Sequence, residues 1–169
     1  MARPKSLPDA EVLAAVRRLM AEDGQMVSFG AAAKATGLAP PTLAQRYGTV
    51  AAMRTASVRD GWQVLAAATA TAIDAAADKG PQGLLKALDG VAGDAGLLLA
   101  GSADDIARAL AADWRSMVET ALAQRLGPGG KAREAAAILF AAWQGQALWG
   151  GEGFRIKDAA KRLASPQRM

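Results

Sequence analysis

The chain has 169 residues and a formal net charge of +4, and 51% of its residues are hydrophobic while 21% are charged. This balance is typical of a folded globular protein and argues against an intrinsically disordered one. The sequence contains no cysteine and no histidine, which excludes disulfides and thiolate metal sites and removes the commonest general base.

Helical spacing of apolar residues predicts a first helix over residues 8–23, closed by Gly24. Ser28 is placed to cap a second helix. Gly37 then permits a tight turn, because glycine adopts left-handed backbone conformations without a steric penalty. A third helix over residues 40–47 opens on two prolines, which the first turn of a helix tolerates.

The remainder of the chain is also predicted to be helical. Thr49 caps a fourth helix that reaches toward Asp78, and residues 82–101 are expected to form short helical pieces separated by glycines. Ser102 is expected to cap the first of three further helices, which span residues 103–126, 131–149 and 154–163. Alanine dominates the apolar residues and no segment alternates like a strand, so the predicted fold class is all-α.

No segment of the sequence has the pattern of a membrane or export signal. The first eleven residues lack the apolar run of a secretory signal, and no apolar stretch approaches the ~20 residues of a membrane helix. We therefore expect a cytoplasmic protein without a membrane partner. Residues 1–60 carry eight basic and five acidic side chains, a net +3, which favours a polyanionic partner only weakly.

Residues 27–53 have the layout of a helix-turn-helix DNA-binding motif. If the third helix enters the major groove, Gln45 can pair with adenine, Arg46 with guanine or a phosphate, and Thr42 with a phosphate or a thymine methyl. Helix N-termini beside it can direct backbone N–H groups at phosphates. The predicted DNA-binding residues are Ser28, Lys34, Pro41, Thr42, Gln45, Arg46, Tyr47 and Thr49. The alternative is a small helical core whose polar residues are merely solvated.

Five residues at and after the turn carry a resemblance to a known family: Gly37, Leu38, Thr42, Leu43 and Tyr47. With this pattern the chain resembles the TetR family of bacterial transcriptional regulators. The resemblance implies an N-terminal three-helix DNA-binding domain (residues 1–50), joined by a long helix to a C-terminal bundle (residues 51–169) for effector binding and dimerisation. It further implies a ligand-responsive homodimeric repressor that binds a palindromic double-stranded DNA operator.

Three positions depart from the family pattern. Ala44 stands where the family usually has tyrosine, and Arg46 stands where histidine is common. Val50 replaces a lysine that holds a DNA phosphate in relatives. These departures motivate a second hypothesis, a helical interaction protein that kept the fold but lost sequence-specific DNA binding. A third hypothesis, an enzyme, is disfavoured because the sequence lacks both histidine and cysteine, and we expect no cofactor and no metal site.

The resemblance also implies a pocket for a small apolar effector inside the bundle. Its candidate lining residues are Trp62, Trp114, Met117, Phe140 and Trp143. The alternative for each tryptophan is that it fills the core between closely packed alanine-rich helices. In relatives the last two long helices pair across a two-fold axis, which implies a homodimer through residues 103–126 and 131–149.

Overall fold

The computed structural model describes residues 7–22, 27–150 and 156–164, and within these ranges every regular element is a helix. The predicted all-α class is therefore confirmed. The helices are α1 (Asp9–Glu22), α2 (Phe29–Thr36), α3 (Pro40–Tyr47), α4 (Val50–Ala75), α5 (Pro81–Ala87), α6 (Asp89–Gly101), α7 (Asp105–Leu126), α8 (Gly130–Trp149) and α9 (Ile156–Ala164). The expected helix end at Asp23 and Gly24 and the expected start at Phe154 lie outside the described residues.

The caps predicted for the short N-terminal helices are present. The Ser28 hydroxyl accepts a hydrogen bond from a backbone N–H of the first turn of α2 at 3.1 Å, and the Thr49 hydroxyl does the same for α4 at 3.0 Å. Gly37, with φ of 73°, ends α2, and Gly48, with φ of 75°, ends α3. Both angles lie in the region that favours glycine, which explains why each helix ends where it does.

The start of α7 differs from the prediction. The expected N-cap, Ser102, is wrong: Asp104 caps the helix and accepts from two backbone N–H groups of its first turn at 3.0 and 3.1 Å. The Ser102 hydroxyl instead accepts from the Trp62 indole N–H at 2.9 Å and donates to the Leu98 carbonyl at 2.8 Å. A tertiary contact therefore uses the hydroxyl that would have capped the helix.

Helix α6 is continuous where the sequence predicted broken pieces. Two of its glycines lie where a side chain would collide with a neighbouring helix. A Cβ at Gly96 would lie 2.7 Å from Leu148, and one at Gly101 would lie 2.9 Å from Val58. Glycine costs a helix about 1 kcal/mol relative to alanine, but here it permits close packing against α8 and α4. Tertiary packing thus overrides the local preference.

The buried residues form two clusters. The smaller cluster joins α1, α2, α3 and the first turns of α4; its members are Val12, Val16, Val27, Ala32, Leu38, Leu43 and Met53. The larger cluster occupies the bundle from the middle of α4 onward. Helix α4 contributes to both, with Met53 in the first and Val58 in the second. Within the bundle, α7 packs most extensively against α8.

Polar contacts fasten α4 to α1. The buried Ser57 hydroxyl donates to the Leu13 carbonyl at 3.0 Å. The Arg17 guanidinium donates to the Ser57 carbonyl at 3.1 Å and forms an ion pair with Asp60 at 2.5 Å. These contacts lie between the two clusters, so they help to fix the direction in which α4 leaves the N-terminal helices.

Two further arginines fasten α4 to α7. Arg59 donates twice to the Asp104 carboxylate, at 2.8 and 3.1 Å, and this hydrogen bonding lowers the pKa of Asp104. Arg125 donates to carbonyls at the end of α4, including those of Ile73 at 3.3 Å and Ala76 at 3.0 Å. The carbonyls of a last helical turn otherwise lack partners. None of the described helices is both long and apolar enough to cross a membrane.

Candidate functional site

Helix α3 carries most of the predicted DNA-binding residues. Its one fully buried side chain is Leu43, which anchors the helix in the smaller cluster, while Pro41 and Gln45 are exposed. The preceding turn is held by Thr36, whose hydroxyl donates to the carbonyl of Ala32 at 2.7 Å and accepts from a backbone N–H at 3.4 Å. The short helix therefore has a defined inner side and an outer side that is open to solvent.

Two of the predicted residues on α3 contact the start of α1. Arg46 donates to the Leu7 carbonyl at 2.7 Å and lies 3.5 Å from the Asp9 carboxylate, and 28% of its side chain is exposed. The Tyr47 hydroxyl donates to the same carboxylate at 2.9 Å. Partial burial and this hydrogen bond to Asp9 raise the pKa of Tyr47 to about 12. The roles of Leu7 and Asp9 could not be read from the sequence, because no local pattern links them to residues about forty positions away.

The other predicted DNA-binding residues stand around α3. Thr42 is half-buried, and Lys34 is exposed in the last turn of α2. Ser28 and Thr49 are exposed and cap their own helices. The structure thus brings Arg46 and Tyr47 together on one carboxylate and places the remaining six on α2, on α3 and at the N-termini of α2 and α4.

The aromatic residues predicted to line a pocket pack against one another. Trp62, Trp114, Phe140 and Trp143 are between 2% and 7% exposed, and the distances between their neighbouring ring centroids run from 5.6 to 6.3 Å. Such distances are favourable for tilted and edge-to-face aromatic pairs. The indole N–H of Trp114 donates to the buried Thr69 hydroxyl at 2.8 Å. The fifth residue of the predicted set, Met117, is half-buried. These side chains build the centre of the bundle.

A cleft of about 650 Å³ lies elsewhere, between α1, α4 and α6. None of the five residues predicted to line a pocket lies on it. Apolar side chains dominate its walls, together with three arginines and one aspartate: Arg17, Arg18, Arg54 and Asp94. No local sequence pattern marks this cleft, because its lining residues come from helices that are far apart in the chain. The prediction of an effector pocket among the tryptophans stays a prediction.

Among the residues that the structure describes, no three acidic side chains come together as a group that could hold a metal ion. The two adjacent acids at the start of α7 have other contacts. Asp104 caps the helix and binds Arg59, and Asp105 forms an ion pair with Arg108 one turn along the same helix. Their arrangement is that of a helix N-terminus, where carboxylates are stabilising.

Comparison with known proteins found no match to the chain, whether among family models, curated proteins or solved structures.

Proposed function

We propose that the protein is a ligand-responsive, DNA-binding transcriptional regulator, a homodimer that acts as a repressor. The observation that carries the proposal is the form of α2 and α3, two eight-residue helices whose connection begins with Gly37 in the left-handed backbone region. Leu43 anchors α3 in the core, and Gln45 on the same helix is exposed to solvent. That form suits insertion of α3 into a major groove, where a glutamine can pair with adenine through two hydrogen bonds.

Phosphate contacts would come from the surroundings of α3. The N-termini of α2 and α4 lie at Ser28 and Thr49, both exposed, and helix N-termini attract anions through their backbone N–H groups and dipole. Lys34 adds a cation in the last turn of α2. Contacts of this kind position a protein on DNA without specifying sequence.

A palindromic operator requires two copies of the chain related by a two-fold axis, and we assign the contact between the copies to α7 and α8. Four of the large apolar side chains that are more than half exposed lie on these helices: Ile106, Ile138, Leu148 and Trp149. Trp149 is 87% exposed. A single chain leaves this apolar surface in water, and a second copy would bury it.

Selection from a pool of random duplexes tests the proposal without knowledge of the operator. The full chain should enrich a palindromic sequence, and its affinity should fall with increasing salt. Gln45→Ala should weaken binding to the enriched duplex by about 1–3 kcal/mol, because Gln45 would lose a base contact. Gln63→Ala, an exposed glutamine on α4 away from α3, is the matched control and should bind as the parent does. Absence of any enriched sequence would refute the proposal.

A second candidate is a helical interaction protein without operator recognition. The contacts of Arg46 and Tyr47 with the start of α1 favour it, since both side chains are engaged within the chain. It predicts that selection yields no consensus and that replacement of Gln45 leaves function unchanged. The same experiment therefore distinguishes the two candidates.

A further inference from the structure

We propose that the cleft between α1, α4 and α6 binds a small amphipathic anion, an apolar body that carries one carboxylate, sulfonate or similar group. We further infer that this anion is the effector of the regulator. That second step rests on the proposed function, whereas the binding of an anion does not. The cleft is separate from the aromatic cluster of the bundle.

The size and walls of the cleft suit such a ligand. Its volume of about 650 Å³ falls within the range of small-molecule sites. Val64 and Leu97, which line it, are 54% and 58% exposed. Large apolar side chains directed into an open concavity gain free energy when an apolar body covers them. The protein itself leaves these two side chains uncovered.

The charges around the cleft favour an anion. Among the described residues that line it there are three arginines and one acid, Asp94. Arg17 is neutralised by its ion pair with Asp60, but Arg18 is exposed on the next position of α1. Arginine at the edge of an apolar surface can bind an oxyanion through two parallel hydrogen bonds. The apolar body would lie against α4 and α6, and the anionic group would lie toward α1.

The position of the cleft gives binding a structural consequence. One wall, α1, belongs to the smaller cluster that holds α3, and another wall, α6, belongs to the bundle. Helices α1 and α6 both pack closely against α4 at Gly61, where an added Cβ would lie 2.5 Å from Leu98 and 2.8 Å from Arg17. A ligand that binds one spacing of α1 and α6 better than another would shift the relative populations of the positions that α3 takes with respect to the bundle.

Fluorescence titration of the full chain with anilinonaphthalenesulfonate tests the inference in the absence of DNA. The neutral control is phenylnaphthylamine, which has the same rings but no sulfonate. Arg18→Gln should weaken binding of the sulfonate about 2- to 5-fold, the range of an exposed ion pair, and should leave the neutral probe unaffected. Leu97→Asp should weaken both probes about 10-fold or more, because it places a charge in the apolar wall.

Leu99→Asp is the matched control for the second variant. Leu99 lies on the same helix and is equally exposed at 58%, but it does not line the cleft. The inference would be overturned if neither probe binds saturably, or if Leu97→Asp and Leu99→Asp weaken probe binding equally. It would also be overturned if Arg18→Gln weakens the binding of both probes equally. Sedimentation in which Leu97→Asp alone splits a dimer would also overturn it, since a second copy would then occupy the cleft. The selection from random duplexes tests the proposed function separately, so a failure of one proposal can be distinguished from a failure of the other.

Discussion

Replacement of Thr69 by valine tests whether the hydrogen bond between Trp114 and Thr69 stabilises the centre of the bundle. The Thr69 side chain is fully buried and accepts the indole N–H of Trp114, itself only 3% exposed, at 2.8 Å. Valine matches threonine in shape, so no cavity forms, but it removes the acceptor. A buried donor without a partner costs about 1–3 kcal/mol, and the better burial of a methyl group offsets part of this cost. We expect a net loss of about 1–2 kcal/mol.

Thermal unfolding followed by circular dichroism measures this loss. For a chain of 169 residues it corresponds to a decrease in Tm of about 2–8 °C. Thr71→Val is the control, because Thr71 lies on the same helix but is exposed, and its hydroxyl donates to the carbonyl of Ala67, four residues earlier on that helix. That variant should stay within about 0.5 kcal/mol of the parent. Equal melting temperatures for the two variants would refute the reasoning.

Two further changes probe the packing of α4 and the site near α3. Gly61→Ala should lower the free energy of unfolding by about 1–3 kcal/mol in denaturant titration, because its Cβ would lie 2.5 Å from Leu98. Gly93→Ala, in open space on α6, should instead raise it by up to about 1 kcal/mol, and the reverse order would contradict the packing. Tyr47, the only tyrosine, should ionise near pH 12 in the folded chain by ultraviolet absorbance, and Asp9→Asn should lower that pKa toward 10, whereas an unchanged pKa would argue against the contact. Because the folded pKa is raised, this group's contribution to stability is complete below pH 10 and is lost as the pH rises through about 12.

The helix class and several boundaries could be predicted because they depend on local chemistry. Serine and threonine at Ser28 and Thr49 accept backbone hydrogen bonds a few residues away, and glycine at Gly37 and Gly48 permits positive φ. Each of these effects acts within one turn of helix, so the sequence alone is sufficient to locate them.

What the sequence could not supply depends on residues that are distant in the chain. The expected cap at Ser102 failed because Trp62, forty residues earlier, uses its hydroxyl. The engagement of Arg46 with Leu7 and the existence of the cleft have the same origin, since both require the relative placement of α1 and later helices. Local patterns carry no information on such placement, and tertiary packing decides it.

Because α4 runs without interruption through both buried clusters, we expect the N-terminal helices to have little stability without it. Met53, a member of the smaller cluster, and Ser57, whose hydroxyl donates to the Leu13 carbonyl, both belong to α4. Few other large side chains are buried there, and a core of that size is marginal in isolation. Unfolding of the bundle would release α4 and remove these contacts at once. We therefore expect the surface that carries α3 to unfold together with the bundle, so that a destabilising substitution in the distant helices also lowers the folded population of this surface.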